Sequence, residues 1–155
     1  MRCPSQKSVV VPSGERLREK GRLYVTCTGR LCTMLIRRGA RVDARDSLLS
    51  ETPLHKAVRS NAIDNVSAIL AFITGRSNHL RAADVAGNTA LHKAAAQPGT
   101  DLAVWNMLLA ALQGDASAVK MTNVDGASVL QVAQRAKNSV AQTVLRAFEA
   151  QIASL

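Results

Sequence analysis

The chain has 155 residues, 47% of them hydrophobic and 3% aromatic, which suits one domain with a continuous core of small and aliphatic side chains better than a β-sandwich. No apolar run reaches the ~18 residues of a membrane span, and Val9-Val10-Val11 is too short for a secretory h-region. The formal charge of +9 is uneven, because residues 1–46 hold 11 Lys and Arg against 4 Asp and Glu while the remainder is close to neutral. Such a balance permits an acidic partner, RNA or an anionic membrane surface, but no aromatic residues interleave the basic ones for base stacking, so nucleic acid is disfavoured.

In chain order, residues 1–28 read as a basic, poorly ordered segment. Cys3, Cys27 and Cys32 are odd in number and crowded toward one end, which is no disulfide framework. Cys27 and Cys32 lack a second ligand pair for zinc, and a reducing, intracellular compartment, cytoplasmic or nuclear, is the simplest expectation. A short helix is predicted around Leu31, Met34, Leu35 and Ile36. Glu51-Thr52-Pro53-Leu54-His55-Lys56-Ala57 then recurs as Asn88-Thr89-Ala90-Leu91-His92-Lys93-Ala94, and more faintly as Ala127-Ser128-Val129-Leu130-Gln131-Val132-Ala133. From Thr52 to Thr89 the step is 37 residues, and from Thr89 to Ser128 it is 39. Self-similarity at such a period marks a solenoid, in which function resides in exposed surface.

Each copy opens a helix. Thr52, Thr89 and Ser128 are N-cap residues, Pro53 fits the first helical position, and the Leu and Ala positions mark one apolar face. A second helix follows in each unit, carrying Val66, Ile69, Leu70 and Ile73, then Val104, Trp105, Leu108 and Leu109, then Val140, Val144, Leu145 and Phe148 at helical spacing. Asn61 and Pro98-Gly99 break the paired helices apart. Asp84-Val85-Ala86-Gly87 and Asn123-Val124-Asp125-Gly126 are tight-turn sequences with Gly free to take positive φ.

The segments Asp84-x-x-Gly87-x-Thr89-x-Leu91-His92-x-Ala94-Ala95, Thr52-Pro53-Leu54-His55 and Leu35-Ile36-x-x-Gly39-Ala40-x-Val42-Asp43-Ala44-x-Asp46 resemble the ankyrin repeat family over roughly residues 30 to 150. The resemblance implies an all-α, ankyrin-type helical repeat solenoid with short turns. Its bounds would be a partial repeat at 29–45 and fuller repeats at about 46–83, 84–122 and 123–155, in one domain of 29–155. The family period is about 33 residues, so extra residues are expected at Gly75-Arg76-Ser77-Asn78, at Gln113-Gly114-Asp115-Ala116 and near Pro98-Gly99.

The motifs of catalysis are missing: no phosphate-cradling glycine loop, nucleophile elbow or paired-carboxylate motif occurs. His55 and His92 occupy one slot that Gln131 fills in the third copy, which favours hydrogen bonding over metal ligation. His79 has no ligand set around it. No cofactor is expected. The resemblance implies a non-enzymatic module that binds another protein across its turn tips and first-helix face. Those positions are Arg45, Leu48, Leu49, Arg81, Val85, Met121, Thr122 and Val124 at the tips, with Lys56, Arg59, Lys93, Gln97 and Arg135 on the helices. Ser47 and Ala86 accompany them. The cations suggest an acidic partner surface. Leu48-Leu49 is either a partner contact or packing against Leu54. An alternative reading is a fragment or regulatory part of a larger repeat protein, self-associating through its N-terminal end; an enzyme with a site on the inserted loops is a weaker third.

Overall fold

Thr52, Thr89 and Ser128 have extended backbones, and each is followed at once by a helix. The structure, a computed structural model, describes residues 29–73, 77–113 and 115–154. Helices α2 (Pro53–Arg59), α4 (Ala90–Ala96) and α7 (Val129–Arg135) start at these caps, and Pro53 is the first helical residue of α2. Each is followed by a second helix: α3 (Ile63–Ile73), α5 (Leu102–Ala111) and α8 (Ser139–Ala153). Before them stands α1 (Gly29–Arg37), and α6 (Ala116–Val119) is a single turn between α5 and α7. Among the described residues no strand forms, and Thr122 and Ser128 make an isolated antiparallel bridge.

The helices lie in two layers. The row α2, α4, α7 packs in sequence, as does the row α1, α3, α5, α8, and α2 pairs with α3 as α7 does with α8. Between the layers runs one core. Ala57, Ala94 and Ala133 are fully buried, and their size lets adjacent helices approach closely. Leu54, Leu91, Val66, Ile69, Leu70, Ile73, Val104, Trp105, Leu108 and Leu109 are buried as their spacing predicts. Trp105 is a core residue whose indole Nε1 has no hydrogen-bond partner. The third pair departs from expectation. Val140 is exposed and Val144 and Phe148 are half-buried, while Ala141 and Leu145 take the core. The N-cap explains this: Asn138 is itself buried, accepting from Ala141 N–H at 3.0 Å, and that anchors the helix with Ala141 inward.

Two of the predicted insertions have described residues that form helical turns. The first holds a 3₁₀ turn at Ser77–His79. The second folds into α6, where Asp115 caps the helix by accepting from Ser117 N–H at 3.0 Å, a helical turn the sequence reading did not foresee. Arg81 reaches across to Asp115 at 3.0 Å and to the Ser117 hydroxyl, tying one insertion to the next. The repeats are also braced at the inter-helix loops. Asn61 accepts from Asp101 N–H at 3.0 Å, and Asn138 Nδ2 donates to the Gln97 carbonyl at 2.9 Å. Residues 1–28, with Cys3, Cys27 and the expected N-terminal self-association surface, lie outside the described residues. Cys32 is buried on α1, as a core residue would be.

Leu91 has no exposed surface. Replacing it with Ala should lower unfolding free energy by about 2–5 kcal/mol through lost contacts and a residual cavity. Urea denaturation measures this, and a loss below about 0.5 kcal/mol, the scale of a surface change, contradicts the core assignment.

Candidate functional site: the turn ridge

The residue that opens each turn also closes it. Asp84 accepts from Ala86 N–H at 2.9 Å and Asn88 N–H at 2.8 Å. Asp46 accepts from Leu49 N–H at 2.8 Å and Glu51 N–H at 3.3 Å, and Asn123 Oδ1 from Ala127 N–H at 2.9 Å. These are the local side-chain bonds that make Asp and Asn turn formers. Consecutive turns are joined edge to edge. Val85 N–H donates to the Leu49 carbonyl at 3.0 Å, and Val124 N–H donates to the Ala86 carbonyl at 3.0 Å. Gly87 makes the second join feasible: its φ is +73°, and a Cβ there would stand 2.8 Å from Val124 N.

The histidines tie the helices to this ridge. His55 Nδ1 accepts from the Thr52 N–H at 3.2 Å and lies 2.7 Å from the Thr52 hydroxyl, while Nε2 lies 2.9 Å from the Asn88 carbonyl of the next turn. His92 repeats the pattern with Thr89 at 3.3 and 2.9 Å and with the Ala127 carbonyl at 3.2 Å. Since only N–H can donate to a carbonyl, the proton is on Nε2. Each carbonyl already closes its own turn, Asn88 with Asp84 N–H and Ala127 with Asn123 N–H. The imidazole therefore does two jobs, capping its own helix and gripping the next turn. Gln131 does only the first, accepting from Ser128 N–H at 2.9 Å. The sequence reading that Gln can replace His thus holds for the cap and not for the inter-repeat bond. Burial holds both imidazoles below the ordinary histidine value, outweighing the carbonyl bonds that favour the charged form.

The cations are mostly engaged. Lys56 Nζ lies 2.8 Å from Asp46. Lys93 Nζ lies 2.6 Å from Asp84 and 3.1 Å from Glu51 Oε1, with its side chain only 19% exposed. Arg59 approaches Glu51 at 3.2 Å. Glu51, buried though charged, is the hub that joins two repeats, and it was not picked out from sequence. A carboxylate just before the cap, with Lys56 and Arg59 following, was the available signal. The Lys56 hydrogen bond holds the Asp46 carboxyl at about 2, against the opposing effect of burial. For Asp84 burial pushes upward, but the Lys93 ammonium and turn amides prevail and its pKa is lowered. Lys93 is raised by the same two carboxylates despite its burial. Arg45 donates to the Ser50 carbonyl at 3.2 Å and also to the Ala83 carbonyl.

Apolar side chains project from all three turns. Leu48 is 86% exposed, so it does not pack on Leu54, and Val85 and Val124 are 60% and 75% exposed. Leu49 is exposed beside Leu48. Met121 is half-buried and Thr122 exposed. Arg135 is exposed at the end of α7. Gln97 lies apart from the ridge, at the C-terminal end of α4, where its carbonyl takes the Asn138 bond.

A family model of ankyrin repeats in three copies matches residues 23–117, more than half of the chain. The chain belongs to the ankyrin repeat family. The match covers α1 to α5, and α7 and α8 continue the same two layers beyond it. Ankyrin repeats are generally protein–protein interaction modules. No curated protein matches the chain. Among the described residues no helix is long and apolar enough to cross a membrane.

Two outcomes follow from these contacts. Lys93→Glu should set a third carboxylate against Asp84 and Glu51 and cost about 3–5 kcal/mol, as removal of a partner from a buried pair does; unchanged thermal unfolding contradicts the hub. The ankyrin fold should also lose stability in two acid stages. The histidines, at 6.5 when unfolded and lower when folded, contribute fully above pH 6.5, and that contribution is lost as pH falls through their folded values. Asp46, at 3.8 unfolded and about 2 folded, contributes above pH 3.8 and loses its share as pH falls toward 2. Urea midpoints across pH measure both, and a double His55→Gln, His92→Gln variant should lack the first stage. A first stage of undiminished size in that variant contradicts the assignment.

Proposed function

We propose that this ankyrin chain is a non-enzymatic module that binds a partner protein across its turn ridge and the adjoining first-helix face. One observation carries the reading: three successive turns, joined backbone to backbone, each hold an apolar side chain out into solvent at Leu48, Val85 and Val124. Ordinary surfaces scatter exposed apolar residues singly, whereas here they repeat with the fold's own period. The turns are also held by Asp46, Asp84 and Asn123 before any partner arrives, which lowers the ordering cost of binding. Leu49, Met121 and Thr122 extend the contact strip along the turns, and Arg135 flanks it on α7.

The test is site-directed photo-crosslinking in the native cell extract. A photoreactive residue in place of Val85 should trap a discrete protein adduct, and one in place of Asn106, exposed on α5, should not. Equal trapping at both positions, or at Asn106 alone, places the binding face elsewhere.

A further inference from the structure

The geometry points to a partner segment for this ridge that is apolar and poor in acidic residues. The inference rests on the ridge being the binding surface and concerns what chemistry it accepts. Its starting point is the charge bookkeeping of the three turns. Their charged groups are Arg45, Asp46, Glu51, Arg81, Asp84 and Asp125. Arg45 donates to two carbonyls, Asp46 pairs with Lys56, Glu51 and Asp84 with Lys93, and Arg81 with Asp115. Among these groups Arg45, held by carbonyls, and Asp125 are exposed outside any ion pair among the described residues, and their charges are opposite.

An acidic segment laid along these turns therefore meets no net free positive charge, because the one turn cation outside an ion pair among the described residues, Arg45, already donates to two carbonyls and is offset by Asp125. To recruit Lys56 or Lys93 it would have to separate pairs at 2.8 and 2.6 Å, and removing Lys93 would leave the buried Glu51 with Arg59 alone as its counter-charge. It would also face Asp125 as a like charge. The exposed Arg37 and Arg38 stand at and just past the end of α1, ahead of the first turn, and Lys120 is the C-cap of α6, ahead of the third. The chain's basic excess is thus not a property of the ridge. An apolar segment breaks no ion pair, and it removes Leu48, Leu49, Val85 and Val124 from water, a gain proportional to the apolar area covered. Because the turns are linked through Val85 N–H and Val124 N–H, those side chains form one line instead of three separate spots.

The experiment is selection of random displayed peptides on the immobilised full chain. Selected peptides should be rich in Leu, Ile, Val and Phe and poor in Asp and Glu. Their affinity should change less than about threefold between about 0.1 M and about 1 M salt, where screening shortens from ~10 to ~3 Å. A Leu48→Ser, Val85→Ser, Val124→Ser variant should keep its helical circular dichroism and bind them about tenfold or more weakly, as loss of anchor residues does. Peptides rich in Asp and Glu that lose affinity in salt, yet still depend on those three residues, overturn the apolar chemistry while leaving the ridge as the binding surface. Peptides indifferent to the triple variant overturn the ridge itself. An empty selection overturns a linear apolar segment as the occupant.

Discussion

The bond from a buried imidazole to the carbonyl of the next turn is the interaction on which the rest of this structure depends. His55 and His92 each lie within hydrogen-bond distance of a threonine cap on one side and of a carbonyl one repeat away on the other. A helix in a repeat stack cannot bury its apolar face alone, so stability comes from contacts between neighbours. Apolar packing is not directional and would tolerate small slips of one repeat over the next. A hydrogen bond weakens steeply with misalignment, so the imidazole fixes the register that burial leaves soft. With the register fixed, Val85 and Val124 find their carbonyls, and the turns become one edge.

The ionic network has a different role. A buried ion pair returns little net stability once desolvation is counted, but it is costly to break. Glu51 joins the turn of one repeat to Lys93 in the helix of the next, and Lys93 also holds Asp84 in its own repeat. This arrangement pairs opposite charges within and between adjacent repeats.

Local chemistry was readable from the sequence. Thr52, Thr89 and Ser128 announce helix starts because a cap depends on neighbours within three residues, and Leu91 or Val104 announce the core because helical periodicity is local too. Contacts set by the stack were harder to read. Lys56 and Lys93 look like free surface cations until the fold brings carboxylates to them. Val140 fits the helical pattern as well as Ala141 does, and only the buried Asn138 cap decides between them. Leu48 could have packed inward, and its exposure follows from a turn pinned by Asp46.

The central claim is that the turns form a continuous, pre-organised ridge in the free protein. The most direct measurement is amide hydrogen exchange at Val85 and Val124, residues whose side chains are exposed but whose N–H groups are bonded to the preceding turn at 3.0 Å. The account predicts strong protection at both amides, reduced at Val124 when His92 is replaced by Gln and the grip on the Ala127 carbonyl is lost. Exchange at both amides as fast as in an unfolded chain would contradict it, because the turns would then be independent loops with no shared edge.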